Sequence, residues 1–422
     1  MDFNTILYRL GLDPSCFENR LIEPIQTEKG FIWEVYQRRN IRVCPRCGSV
    51  SGYIQDHSVI DINCNETDQI KDTLRIHKIR FKCRDCGITY TPAVEGLERY
   101  KTISSQTLRL ITGDFNKKIS FTDIANRYGL SLNRVIQLFD EKVPFIPRGR
   151  LPIALCIDEI YFKSDDDQKY CCVLYDHNKD EIVDMIQSRQ MPYLVDYFSS
   201  ISEKERENVQ FFISDMYDSY RTIKNRFFKY SVHIVDLFHV VSLLTNAVSQ
   251  IRYKFVKDTK EQSFYINFMK THYKCFLCRR KNIPDKWYEP KGYGKAIHYS
   301  DMVFACVKKD SFLLEAYNIL QDLYNYNRND TFTESLNFVR YISNRLKSSK
   351  NELLNNVGKS YTKWEVEIAN GLAKNQTNHL YSNGIAEQIN NELKSIIKFS
   401  YGYRNFDRFR RRSMLISRYK KS

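Results

Sequence analysis

Four cysteines, grouped in two short pairs, constrain the N-terminal part of this chain more than any other feature. They are Cys44-Pro-Arg-Cys47-Gly48 and Cys83-Arg-Asp-Cys86-Gly87. A two-residue gap lets both thiolates of a pair point at one tetrahedral ion, and the glycine permits the turn beyond. In a chain without secretory features, such spacings indicate metal rather than disulfides. The stretches between the pairs, SVIDIN and TLRIHKIRFK, alternate as half-buried strands do. The pattern is that of a zinc ribbon, with one Zn²⁺ on Cys44, Cys47, Cys83 and Cys86. The 35 residues between the pairs exceed the usual spacing, so a hairpin or extra strands must fill the gap. A third pair, Cys275 and Cys278, has no counterpart and reads as core packing.

The rest of the chain is long enough for a core that needs no covalent staples. It has 422 residues, 42% of them hydrophobic, which excludes wholesale disorder. No apolar run approaches the ~18 residues of a membrane span. The N-terminus has neither a basic n-region nor a small-residue cleavage site, so a soluble intracellular protein is expected. The net charge of +15 points to a polyanionic partner, most often nucleic acid.

That charge is uneven. Between residues 392 and 422, ten basic residues face two acidic ones, a net of +8. Among them are Lys394, Lys398, Arg404, Arg408, Arg410 and Arg411, with aromatics interleaved. The mix suits phosphate contacts with stacking between them, and equally a helix face with a small core of its own. Upstream, ISFTDIANRYGLSLNRVIQLFDE carries a helix-turn-helix pattern. Gly129 makes the turn, Ser131 caps the second helix, and Asn133, Arg134 and Gln137 face outward, towards a major groove. VPFIPRGRLP, with three prolines, reads as a linker.

Beyond the linker the pattern becomes β-β-β-α-β-α-β. That is the order of an RNase H-like core, three antiparallel strands followed by parallel crossovers. From Leu237 to His379 the pattern is helical and reads as an insertion. The expected fold class is therefore multidomain α+β. An N-terminal segment with the ribbon covers 1–95 and a helix-turn-helix 100–145. The core spans 150–236, the helical insertion 237–380, and a final helix with a basic tail 381–422. Two carboxylates, Asp158 after ALCI and Asp215 after FFIS, stand at the ends of apolar strands. If the strands are neighbours the acids meet at one sheet edge, where a cation stabilises them. The third candidate is Glu387, with Asn390 and Asn391 one turn further on the same helix face. Three hard oxygen ligands suit Mg²⁺ or Mn²⁺, two per site. Glu159 and Asp218 are competing acids.

The stretches CPRCGS, RFKCRDCG, CIDEIYFK, ISDMYDSYR, VDLFHVV, SNGIAEQINNELK and YGYRNFDRFRRR resemble the DDE transposases of the ISL-three insertion-sequence group. The resemblance runs from about Cys44 to Tyr419. It implies catalytic acids at Asp158, Asp215 and Glu387, with Asp236, His239, Asn383 and Asn391 supporting them. It also implies a bacterial, nucleoid-associated protein acting on double-stranded DNA as a homodimer or higher oligomer. The reaction implied is cleavage to 3′ hydroxyls followed by their in-line attack on target DNA. Two positions depart from the family pattern. Leu237 stands where a basic residue is usual, and Gln388 where glycine is usual. The rival readings are a zinc-ribbon DNA-binding regulator on an inactive scaffold and an RNase H-like structure-specific nuclease.

Overall fold

The computed structural model describes residues 3–9, 12–18, 23–28, 30–39, 43–67, 70–92, 94, 103, 105–163, 169–260, 263–291, 294–327, 331–374, 384–400 and 403–419. The side chains of residues 3, 6, 9, 63–67, 70–72, 384–387 and 419 fall outside that description. The chain divides into two compact units. One is Met1–Pro147 with Leu393–Ser422, the other Arg148–Glu392. No helix among the described residues is long and apolar enough to cross a membrane.

The first unit opens with α1 (Phe3–Arg9) and a sheet in the order β1 (Ile25–Thr27), β2 (Gly30–Tyr36), β4 (Ile70–Cys83), β3 (Gly52–Thr67), with β5 (Thr89–Tyr90) also on β4. The long cysteine-to-cysteine gap is filled by the hairpin β3–β4, paired from Gly52↔Cys83 to Thr67↔Ile70. Period-two alternation puts Leu74 and Ile76 into a core with Leu7, Phe17, Val35 and Ile62. On the other face Arg75 grips Asp61 across the strands at 2.9 and 3.0 Å. Three helices follow, α2 (Ser105–Asp114), α3 (Phe121–Tyr128) and α4 (Leu132–Lys142). Ser120 and Asp123 form a reciprocal capping box on α3. Gly129 ends α3 in the left-handed conformation at φ 62°, and the Ser131 hydroxyl accepts the Arg134 N–H to start α4.

The second unit is built on five strands in the order β10-β9-β6-β7-β8. They are β6 (Ala154–Tyr161), β7 (Tyr170–Asp176), β8 (Glu181–Ile186), β9 (Phe211–Ser214) and β10 (Val232–Val235). β6, β7 and β8 are antiparallel, whereas β6, β9 and β10 run parallel. Helices α5 (Met191–Ser199), α6 (Glu203–Glu207) and α7 (Asp218–Phe227) make the crossovers. Leu155, Ile157, Leu174 and Phe212 of the sheet share one core with Leu194 and Phe198 of α5 and with Tyr220 of α7. The chain then runs through α8 (Leu237–Asp258), α9 (Phe264–Thr271), α10 (Tyr299–Val307), α11 (Ser311–Asn325), α12 (Phe332–Ser348), α13 (Glu352–Lys363) and α14 (Glu365–Leu372). These helices bury a second core that includes Leu244, Phe268, Met302, Leu320, Leu346 and Tyr361. The helix α15 (Gly384–Phe399) begins in this unit.

Two features of this unit have measurable consequences. Arg148 holds Glu205 bidentately, at 2.6 and 2.8 Å, and the Leu151 N–H adds a third bond at 2.9 Å. The Arg148 hydrogen bonds are the chief cause that brings the Glu205 carboxyl down to about 2. A depressed carboxyl stabilises the fold above its unfolded value and loses that contribution as pH falls. Glu205→Gln should therefore cost on the order of 2 kcal/mol at pH 7. In denaturant titrations that gap should close as pH falls from about 4.5 towards about 2. Separately, α14 approaches β10 so closely that a Cβ on Gly371 would lie 2.7 Å from the Val235 carbonyl oxygen. Gly371→Ala should cost about 1–3 kcal/mol, seen as a fall in Tm. Gly113→Ala, whose Cβ meets nothing within 4 Å, is the control without that cost.

The last helix, α16 (Phe406–Tyr419), returns to the first unit. Its Phe409 rests on Tyr403, and Tyr403 on Phe121 of α3. Arg412 is fully buried, lies over the Phe121 ring and donates to the carbonyls of Lys117 and Ile119.

Candidate active site and metal centre

The two cysteine pairs come together at the base of the β3–β4 hairpin. Their four sulfurs all lie within 4.8 Å of one another. Cys44 Sγ is 3.6 Å from Cys86 Sγ, and Cys47 Sγ is 3.6 Å from Cys83 Sγ. Bonds of about 2.3 Å to a tetrahedral zinc separate sulfurs by about 3.8 Å, so the group could hold that ion. The turns are alike: the Gly48 N–H bonds the Cys44 carbonyl and the Gly87 N–H the Cys83 carbonyl, at φ 71° and 69°. Only glycine adopts those angles without strain. Burial opposes ionisation of Cys44, but the backbone N–H groups of Cys47 and Arg46 outweigh it and bring the thiol down to about 7. Cys47 and Cys86 go the other way. Against the Ser49 N–H, burial and the neighbouring thiols push Cys47 up to about 12, and against the Ile88 N–H, burial with Cys44 and Cys83 raises Cys86. The thiols by themselves therefore favour the thiolate at Cys44 and not at these two.

In the second unit, register decides where the acids stand. β6 pairs with β9 only as far as Cys156↔Ile213, and β9 with β10 as far as Ser214↔Val235. Asp215 and Asp236 therefore lie just beyond the ends of β9 and β10, level with Asp158 on the neighbouring β6. Asp158 is not at its own strand's end, since β6 continues to Tyr161 against β7. It lies where β9 has stopped, which leaves its β9 side open. Asp215 is half-buried, and its Oδ1 is buried without a hydrogen-bond partner. Burial, then the charges of Glu159 and Asp158, push its carboxyl up to about 7. Asp236 caps α8 through the Phe238 N–H at 3.2 Å, and its Oδ2 lies 3.7 Å from His239 Nε2. Burial, with Asp158 and Asp215, outweighs His239 and pushes Asp236 up to about 6.

The charge the cluster lacks is a cation. Crowded carboxyls that hold protons and leave a buried oxygen unbonded are the environment a divalent ion relieves. The described acids are more loosely gathered than the cysteines. Among the described residues only the four cysteines bring three or more possible ligand atoms within 4.8 Å.

Each Asp158 oxygen already has one hydrogen-bond donor. Oδ1 accepts the Glu159 N–H at 2.8 Å, and Oδ2 accepts the Asn390 side-chain amide at 2.6 Å. Asn390 is on α15, three positions after Glu387. The Glu387 side chain, and Asn383 altogether, lie outside the described residues. The two competing acids are paired elsewhere. Glu159 is held by Arg189 at 2.6 Å and Tyr220 at 3.2 Å, and Asp218 by Lys363 at 2.6 Å. The Asn390 bond is the contact that sequence reasoning missed, although the i+3 spacing from Glu387 already placed the residue.

In the first unit, Asn133 and Gln137 of α4 are exposed, while Arg134 pairs with Glu141 at 3.4 Å. The C-terminal arginines differ from a free basic tail. Arg408 and Arg411 both pair with Asp140, Arg411 also bonds the Val143 carbonyl, and Arg410 bonds the Ile146 carbonyl. Arg418 donates to the Pro147 carbonyl at 2.5 Å. The proline-rich segment 143–147 is thus held along its length by α16. Lys394, Lys398 and Arg404 remain exposed.

A family model described as transposase, of the ISL-three DDE group, matches residues 155–413, from β6 into α16. The chain is a transposase by that match. It belongs to the ISL-three family. No curated protein matches it.

Proposed function

We propose that this protein cuts DNA at the ends of its insertion sequence and joins the resulting 3′ hydroxyls to target DNA, on an RNase H-like core. The observation that carries the reading is the buried, unbonded Asp215 oxygen in a row of acids on three neighbouring parallel strands, where β9 and β10 end beside Asp158. This row lies within the span that matches the transposase family. Asp158 and Asp215 are the first two catalytic acids, and Glu387, one turn before the Asn390 that bonds Asp158, is the third. These residues would hold two Mg²⁺ or Mn²⁺ ions. The chemistry such ions supply when bound is charge against the phosphate oxygens and easier deprotonation of the attacking hydroxyl. The protein's own part is to fix that geometry. The β6–β9 register sets the spacing of Asp158 and Asp215, and Asp236 with His239 anchors the start of α8 beside them.

DNA recognition falls to the first unit. The cysteine group binds one Zn²⁺ and stiffens the hairpin, and α3 with α4 acts as a helix-turn-helix on the terminal inverted repeats. Asn133, Arg134 and Gln137 reach base edges, while Lys394, Lys398 and Arg404 contact phosphates. Arg408, Arg410 and Arg411 serve the fold of the same segment. The protein acts in the bacterial cytoplasm, as a dimer or higher oligomer that pairs two ends. Incubation with a donor DNA carrying the element's ends, in Mg²⁺, tests the reading. Joined donor–target products support it. Cut ends that never join would make the protein a nuclease, and binding without cutting would make it a regulator.

A further inference from the structure

We infer that Asn390 is a positioning residue for Asp158: its side-chain amide sets the orientation of that carboxylate and ties the helix that carries Glu387 to β6. The inference rests on the proposed cation-dependent site. Its observation is the 2.6 Å bond from Asn390 Nδ2 to Asp158 Oδ2.

Three points make the bond more than incidental. First, Asp158 is half-buried, and a carboxylate there has few solvent partners to hold its plane. With Oδ1 on the Glu159 N–H and Oδ2 on Asn390, each oxygen has one donor and keeps lone pairs for a ligand. Second, the donor is an uncharged amide. A lysine or arginine at that place would orient the carboxylate equally well but would repel a cation. The amide orients without adding charge. Third, the two residues are 232 positions apart in sequence. Asp158 lies on a central strand and Asn390 on a helix reached only after the whole helical region. The bond therefore links α15 to the sheet at the level of the first acid. Outer partners of this kind commonly change metal affinity or activity by 10–100-fold when removed.

The test uses the full chain and three variants, Asn390→Ala, Asn390→Asp and Asp158→Asn. Mn²⁺ binding is read by calorimetry without DNA, cleavage by single-turnover assay, and folding by Tm. Asn390→Ala should weaken Mn²⁺ binding and slow cleavage, each about 10-fold or more, with Tm and DNA affinity unchanged. Asn390→Asp, which replaces the donor with a carboxylate, should slow cleavage further and shift the Mn²⁺ affinity differently from the alanine variant. Wild-type Mn²⁺ affinity and cleavage in Asn390→Ala would overturn the inference, as would a fall in Tm that accounts for the whole loss. Asp158→Asn separates the two levels of argument. If it still cuts, the proposed site itself fails. If it is dead while Asn390→Ala is normal, only the positioning role fails.

Discussion

Asp158→Asn should stop strand cleavage, by at least about 10³-fold, or about 4 kcal/mol of barrier, while leaving DNA binding intact. The substitution is nearly isosteric, and the Glu159 N–H can still bond the retained side-chain oxygen. What disappears is one negative charge, and with it the oxygen that accepts the Asn390 amide, in a group whose remaining acids cannot replace that charge. Asp215 is already one of the proposed ligands, so it cannot also stand in for Asp158. Asp236 spends one oxygen on the α8 cap and faces His239 with the other. A cation held by fewer ionised oxygens is held weakly or in the wrong place. Because β6 keeps its pairing with β7, the sheet and its Tm should be little changed. Gel-shift and cleavage assays on one DNA separate the two effects. Cleavage that persists in Mg²⁺ would remove Asp158 from the chemistry.

Cys83→Ser should reduce bound zinc from one per chain to none and unfold the ribbon end of the β3–β4 hairpin. Structural zinc contributes about 10–16 kcal/mol in isolated zinc peptides, far more than a small cluster of apolar residues provides. Cys83 is the last residue of β4 and pairs with Gly52. Its sulfur is also one of the inner, buried pair with Cys44. Loss of the ion frees both turns, and the small core of Ile79, Phe81 and Tyr90 that packs around the cysteines loosens with them. The second unit has its own cores and should keep its transition. Metal analysis of the parent and the variant, with melting curves for both, checks this. A parent protein without zinc would reject the centre.

Much of the second unit was legible because its strands are short apolar runs between polar turns, in an order few folds share. The same logic singles out Asp158 and Asp215, each a charge against a run of buried residues, and the fold places them on neighbouring strands. It misjudged only why Asp158 is accessible: β9 ends early, while β6 itself goes on. Register between strands distant in sequence is not written in either strand alone. Gly129 and Ser131 were legible for a local reason, since a left-handed turn and an N-cap are chosen by the residue in place. The C-terminal arginines were not. Their partner Asp140 lies 268 positions before Arg408, so the sequence shows ten charges without showing which are paired. Arg412 is the extreme case, a guanidinium folded completely into an aromatic and carbonyl environment. Asn390 was placed on the right turn of the right helix, but only the fold shows which acid it meets.

The central claim is that the third catalytic acid comes from α15 rather than from the row of strand ends. Single-turnover cleavage of a donor DNA by Glu387→Gln and by Asp236→Asn tests it most directly. Asparagine caps helices about as well as aspartate, so Asp236→Asn should keep the start of α8 and lose no more than about 10–100-fold. Glu387→Gln should bind the DNA normally and lose at least about 10³-fold in cleavage. The reverse result, an active Glu387→Gln beside a dead Asp236→Asn, would contradict the account and assign the third acid to Asp236.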